Sequence, residues 1–263
     1  MPMKISIVTP VLNSVDYVRD TVESVLAQEG EFELEYIIRD GGSTDGTLDV
    51  LAAYEDRCTI VSEPDGSPQA AINAGMAMAT GDILAWLNAD DLYEPGALAR
   101  VHQCLAAADK AQWCYGTCCI IDADNREIRR PVTWYKSALG HVYSRHLLLC
   151  ENYINQPATF WRRELWEAVG GLDTKHKAAF DYLLWLKMAG RSPAVSIHTR
   201  LARFRRHPGS ISENQFARQF QEELAIARAH GTAVHGFVHW YNCWKIIWVY
   251  RLLGALSRRS TKG

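Results

Sequence analysis

The chain has 263 residues, 48% hydrophobic and 22% charged, which suits one large globular domain with extensions. A formal net charge of -2 lacks the basic excess of a general nucleic-acid binder, so nucleic acid is excluded as a partner class. Seven cysteines, an odd number without a C-x-x-C pair, read as reduced interior thiols rather than a disulfide or zinc framework.

Taken in chain order, Lys4–Thr9 predicts a buried strand, with no secretory hydrophobic stretch before it. Asn13 and Ser14 are expected to cap a helix whose apolar face is Val15, Val18, Val22 and Val25. A second strand, Leu34–Arg39, ends at Asp40. The turn Gly41–Gly46 then leads to a helix around Leu48–Tyr54 and a third strand, Cys58–Val61. After the loop Ser62–Pro68 a helix runs to Ala79, Asp82–Leu87 forms a fourth strand, and Pro95 opens another helix. Repeated βα units imply a parallel sheet, with ligands beyond the carboxyl ends of its strands. Asp40 and the cluster Asn88–Asp91 both fall at such ends.

The second half predicts a strand Trp113–Ile121, a helical region near Ser137–Cys150, an extended stretch Asn155–Phe160 and a helix Arg163–Val169 stopped by Gly170. A helix near Ala178–Ala189, a short strand near Leu201–Arg205, the loop at His207 and a long helix from about Asn214 to His230 follow. The organisation expected is one domain over 1–212 with a C-terminal helical extension over 213–263.

Three sets of residues carry chemistry. Asp90 and Asp91, directly after an apolar strand, suit a hard divalent cation that keeps positions open for phosphate oxygens; helix capping is the structural alternative. The stretch Ile37–Gly46 puts the Asp40 carboxylate before a glycine-rich turn that is neither G-x-G-x-x-G nor a P-loop. It reads equally as a tight turn or as an acceptor for a base or ribose. Asp181 opens a helix of otherwise apolar residues. It is either a first-turn carboxylate favoured by the helix dipole or a base of raised pKa.

The segments ISIVTPVLN (5–13), DGGSTDGT (40–47), EPDGSPQAAINAG (63–75), LNADDLYEP (87–95) and FDYLLWL (180–186), in that order, resemble the family 2 glycosyltransferases of GT-A fold. The resemblance implies an α/β fold, Rossmann-like, with a mostly parallel sheet flanked by helices. It also implies inverting transfer of one sugar from a nucleotide-diphosphate donor to an acceptor hydroxyl. Thr9, Pro10, Val11 and Asp40 then correspond to nucleoside-binding positions, Asp65 to another donor contact, and Asn88-Ala89-Asp90 to the DxD motif. Asp90 is implied as a ligand of Mn²⁺ or Mg²⁺, with His207 in the segment that closes over the diphosphate. Asp181 matches the catalytic base, and Gln156 the acceptor-side wall.

Two departures stand out: the first DxD position is Asn88, and no Q-x-x-R-W signature follows Asp181, where Ala202–Arg206 stands instead. A single-addition enzyme of surface polysaccharide or glycolipid assembly is expected, with UDP the first donor nucleotide to test and GDP or dTDP the others. A nucleotidyltransferase would need a basic glycine-rich loop after the first strand, where Pro10–Ser14 stands. A non-catalytic sugar-nucleotide or glycan binder is the remaining rival.

Past Glu223 there is no acidic residue. Phe237, Trp240, Trp244, Trp248 and Arg251 recur at helical spacing, with Lys245, Arg258 and Arg259 around them. This pattern predicts an interfacial helix and a cytoplasmic enzyme touching the inner face of the membrane, where a lipid-linked acceptor would lie.

Overall fold

The computed structural model describes residues 3–207, 209 and 216–245. Trp248, Arg251, Arg258 and Arg259 of the predicted interfacial stripe lie outside the described residues.

The first half alternates β1 (Met3–Val11), α1 (Val18–Leu26), β2 (Phe32–Asp40), α2 (Thr47–Leu51), β3 (Thr59–Ser62), α3 (Pro68–Met78) and β4 (Ile83–Trp86). β2, β1 and β4 pair in parallel, with β3 parallel to the outer side of β2. The second half contributes β5 (Leu92–Tyr93), α4 (Ala97–Ala106), β6 (Trp113–Ile121), β7 (Glu127–Ile128), α5 (Arg130–Leu139), α6 (Arg145–Cys150), β8 (Thr159–Arg162), α7 (Arg163–Val169), α8 (Phe180–Ala189), β9 (Ala194–Arg205) and α9 (Phe216–His230). Residues 233–245 continue as a helix. The sheet order is β3-β2-β1-β4-β8-β6-β9-β5, with β7 beside β6. β8 is antiparallel to β4 and β6, so the sheet is mixed.

Strand alternation sorts the core onto the two faces. In β1, Ile5 and Ile7 join the cluster covered by α1, α2 and α4, whereas Val8 joins the cluster covered by α3, α6, α7, α8 and α9. The second cluster is built on indoles. The Trp86 and Trp113 rings stack on Trp185 at 5.8 and 6.0 Å, and Trp161 meets Trp86 edge-on at 5.4 Å. Helix α8 is apolar all round and buries Tyr182, Leu183, Leu184, Trp185, Leu186 and Met188, which fixes its first turn in place.

Several expected boundaries move for identifiable reasons. Helix α1 starts at Val18, not beside Ser14. Asn13 is held at φ 49° with its Oδ1 accepting from the Thr44 N–H, and the Ser14 N–H donates to Thr47 Oγ1. These residues tie two loops together instead of capping a helix. The single helix expected near Ser137–Cys150 is two, because Gly140 ends α5 and Ser144 caps α6 by accepting from the Leu147 N–H. The short strand expected at Leu201 is the twelve-residue β9, and β5 goes unpredicted because its two residues pair only with β9.

At Gly81 an added Cβ would lie 2.5 Å from Ser6 Oγ, 2.7 Å from Ser6 N and 2.9 Å from the Lys4 carbonyl oxygen. Two of those contacts are backbone and cannot yield. Gly81→Ala is expected to destabilise the protein by about 1–3 kcal/mol in urea denaturation, through overpacking at the β1–β4 edge.

Candidate active site

The carboxyl ends of β1, β2 and β3 align in register, Val11 beside Asp40 and Asp40 beside Ser62, and the Leu87 N–H at the end of β4 bonds the Val8 carbonyl. Gln156 precedes antiparallel β8 and so reaches the same edge. β9 runs parallel to β6 and antiparallel to β8, so it too ends there, at Arg205. Thus the topology gathers Thr9, Pro10, Val11, Asp40, Asn88, Ala89, Asp90 and Gln156 along one rim.

Asp40 is fully buried. Its carboxylate accepts from the Gly42 N–H at 3.0 Å, the Ser43 N–H at 3.1 Å, the Ser62 hydroxyl at 2.6 Å, and the Ser43 hydroxyl. Burial opposes its ionisation, yet these donors outweigh it and hold the carboxyl below its usual range. Gly42 and Gly46, at φ 91° and 93°, let the turn fold back on that carboxylate. Asp40 is therefore the keystone of the turn. The Thr9 hydroxyl is likewise engaged, 3.0 Å from the Tyr36 hydroxyl.

Asp65 is ion-paired through Oδ1 to Arg39 Nη2 at 2.8 Å, both side chains largely buried. Its Oδ2 is buried with no hydrogen-bond partner, so one acceptor in the loop after β3 awaits a donor.

The turn Asn88–Asp91 divides its carboxylates. Asp91 is fully buried, accepting from the Arg205 N–H at 2.9 Å and from Asn88 Nδ2 at 3.1 Å. Burial and the adjacent Asp90 push its carboxyl well above the usual range. Asp90 turns outward, and its Oδ2 lies 3.0 Å from His207 Nε2, with 22% and 17% of the two side chains exposed. Burial raises Asp90, while His207 and Arg205 act in the opposite sense. The Asp90 and His207 side chains are hydrogen-bonded to each other, and a carboxylate and an imidazole are both donor types that a divalent transition metal accepts. Gln156 braces this turn rather than standing apart from it: its Oε1 accepts from Asn88 Nδ2 at 3.1 Å and its Nε2 donates to the Trp86 carbonyl at 2.8 Å.

The sequence reading missed Arg205, which is fully buried. Its Nε donates to the Asp90 carbonyl at 2.8 Å and its Nη1 to the Asp122 and Ala123 carbonyls at 3.2 and 3.1 Å, while Nη2 meets Asp20 at 3.4 Å. The guanidinium also sits 4.9 Å from the Tyr17 ring centre, and Tyr17 packs on the His207 ring at 4.6 Å. Local spacing gave no signal for it: Arg203, on the same face of β9 by strand alternation, pairs instead with Glu94.

Asp181 begins α8 beside Phe180, whose ring lies 6.3 Å from Trp86 at the end of β4. Burial and the negative Glu223 raise its carboxyl to about 6, against the Tyr182 N–H, which donates to Oδ1 at 2.7 Å.

The mixed sheet flanked by helices, with a carboxylate-bearing turn at its rim, is the GT-A fold. The family model described as "Glycosyl transferase family 2" matches residues 6–169, more than half of the chain, and the protein belongs to that family. The match ends before α8, so neither Asp181 nor His207 lies within it. A Mycobacterium bovis protein named "PGL/p-HBAD biosynthesis glycosyltransferase" is 27% identical over 234 residues, covering 86% of each chain. The mannosyltransferase PcManGT of Pyrobaculum calidifontis, solved with GDP-Man and Mn²⁺, superposes with a TM-score of 0.68 at 21% identity, over 90% of this chain and 67% of that one. S. aureus TarS 1–349 with UDP-GlcNAc gives 0.67 at 16% identity, over 85% of this chain and 66% of that one. The match spans only 39% of a longer TarS chain. At these identities the two structures speak to the fold alone.

Arg205→Met should cost about 1–3 kcal/mol in urea denaturation, since the Asp90, Asp122 and Ala123 carbonyls lose one fully buried donor together. For Asp181, a folded pKa near 6 against a usual 3.8 means that the native state holds the proton more tightly than the unfolded chain. The stability so gained is full below the usual value and is lost as pH rises through 6. Asp181→Asn should therefore raise stability at pH 7.5 by about 1–3 kcal/mol, read by denaturant titration at pH 7.5 and at pH 4. No gain at the higher pH would contradict the raised carboxyl.

Proposed function

We propose that the protein is an inverting, single-addition glycosyltransferase that moves one hexosyl or N-acetylhexosaminyl unit from a nucleotide-diphosphate sugar, UDP-linked in the first instance, to an acceptor hydroxyl. The observation that supports this reading is a pair of unlike carboxylates. Asp90 faces His207 where a cation can be held, and Asp181 sits in an apolar helix start with a pKa suited to a base. PcManGT with GDP-Man and Mn²⁺, and TarS with UDP-GlcNAc, support a nucleotide-sugar donor and a cation.

In this reading the unpartnered Asp65 Oδ2 accepts a nucleobase N–H, with the Arg39 pair fixing its orientation. Asp40 acts by holding the turn over which the nucleoside lies, and Thr9, Pro10 and Val11 form its floor. Asp90 and His207 would hold the divalent cation, which would supply charge neutralisation for the departing diphosphate. Asn88, fixed by Asp91 and Gln156, leaves one negative charge fewer beside that diphosphate than an Asp would. Asp181 takes the proton of the acceptor hydroxyl as that oxygen bonds to C1 from the face opposite the leaving group. The C1–oxygen bond to the diphosphate breaks, and the nucleoside diphosphate leaves with the electron pair.

Acceptor chemistry is drawn from the outer surface. Val234, Phe237, Trp240, Tyr241 and Trp244 are exposed at 70, 64, 45, 50 and 49%, forming an aromatic stripe on helix 233–245. No helix among the described residues is long and apolar enough to cross a membrane. A stripe of this kind suits the interfacial zone of a bilayer, where a glycolipid or lipid-linked glycan presents its hydroxyl. A role in surface polysaccharide or glycolipid assembly at the inner face of the membrane follows. The relative named for PGL/p-HBAD biosynthesis supports an assembly role of this sort.

A thermal-shift screen of UDP-, GDP- and dTDP-sugars with Mn²⁺ should single out one nucleotide class; stabilisation by none of them would overturn the donor assignment. With an acceptor in hand, kcat/KM should rise with pH through an apparent pKa near 6 and be lost in Asp181→Asn, and product NMR should show an inverted anomeric centre. Retention would remove the role given to Asp181. In flotation with phosphatidylglycerol vesicles the wild type should rise with the lipid and Phe237→Ser/Trp240→Ser should stay behind; equal recovery would argue against the membrane role.

A further inference from the structure

Helix 233–245 is amphipathic in an inverted sense. Its aromatic residues face outward, while His239 and Cys243, one turn apart, are 1% and 9% exposed and face inward. A helix buried by its polar side needs something on that side to hold it. Opposite them stands Glu223 of α9, 4% exposed. The ligand-capable atoms of Glu223, His239 and Cys243 all lie within 4.8 Å of one another.

The hydrogen bonds around this cluster leave its inner atoms available. His239 Nδ1 lies 3.2 Å from the Leu149 carbonyl, which makes it the protonated nitrogen and turns the Nε2 lone pair inward. That Nε2 is buried without a hydrogen-bond partner. Glu223 satisfies Oε1 with Asn152 Nδ2 and Gln219 Nε2, each at 3.0 Å. Its Oε2 points at His239 Nε2 from 3.8 Å. That separation is too long for a hydrogen bond but close to the roughly 3.3–3.6 Å between neighbouring ligand atoms in a tetrahedral zinc shell. A backbone carbonyl orienting the imidazole and amides orienting the carboxylate are the outer contacts that metal ligands characteristically have.

We propose that Glu223, His239 and Cys243 form a buried transition-metal site of the zinc class, distinct from the donor-cation site at Asp90. A carboxylate oxygen, an imidazole nitrogen and a thiolate sulfur suit a cation of borderline softness, not Mg²⁺ or Ca²⁺. Binding releases the Cys243 proton to solvent. The ion would fasten helix 233–245, and the aromatic stripe it displays, to α9 and to the carbonyl end of α6. The proposal invokes neither donor nor acceptor; an ion on Glu223 would offset the like charge beside Asp181 and leave burial as the cause of its raised carboxyl.

The experiment is a Co²⁺ titration of the chelator-treated full-length Asp90→Ala variant, in which the donor-cation site is disabled. The expected result is a thiolate-to-Co²⁺ charge-transfer band that saturates at one equivalent, is displaced by Zn²⁺, and is absent from Asp90→Ala/Cys243→Ser. Absence of the band in Asp90→Ala itself would overturn the site, as would its survival in the Cys243→Ser variant. Because the first titration leaves the three ligands intact, a folding defect in the Cys243 variant cannot protect the proposal.

Discussion

The acidic turn after β4 depends on one buried guanidinium. Arg205 arrives on β9 from the far side of the sheet and donates to the Asp90 carbonyl through its side chain and to Asp91 through its backbone. Without such a partner, two adjacent carboxylates at the end of an apolar strand would repel each other in a poorly solvated setting. With it, the turn can split its acids by function. Asp91 is spent inside the fold, and Asp90 is free to face His207. The Tyr17 ring, between Arg205 and His207, links the guanidinium to the residue that completes the candidate cation site.

A second constraint works from the opposite face. The indole stack of Trp86, Trp113 and Trp185 holds α8 against the sheet, and Asp181 lies in the first turn of that helix. Its raised pKa is a consequence of that packing. A carboxylate at the start of a helix with no polar face has little water to ionise into, and Glu223 adds a like charge. Rigidity and basicity thus come from the same apolar contacts. They also carry a stability cost of the kind active sites commonly bear.

Much of this was legible in the sequence where periodicity and turn chemistry are local. Trp113–Ile121 and Arg163–Val169 fall where the pattern put them, and the βα alternation through Trp86 correctly implied a carboxyl-end rim. What was hidden depends on long-range pairing. The two-residue β5 exists only because β9 passes beside it, and the apolar pattern of β9 is broken by the exposed polar run His198–Arg200. Asn13 looked like a cap because its alternative partner, the Thr44 N–H, is supplied by another loop. Asp40 illustrates the subtler limit. The sequence offered a turn or an acceptor for a nucleoside, and the structure puts its oxygens to use in the turn. The cysteines read as inert interior residues, and nothing in local spacing brings Cys243 and His239 to Glu223, which comes from a separate helix.

The central claim is that Asp90, presented by Arg205 and paired with His207, couples nucleotide binding to a divalent cation. Calorimetric titration of nucleoside diphosphate into wild type and Asp90→Ala, each with and without Mn²⁺, tests it most directly. The account predicts that Mn²⁺ tightens binding to the wild type by at least about tenfold, a coupling of about 1.4 kcal/mol, and leaves Asp90→Ala unchanged. Equal enhancement in both proteins would place the cation elsewhere and contradict the account.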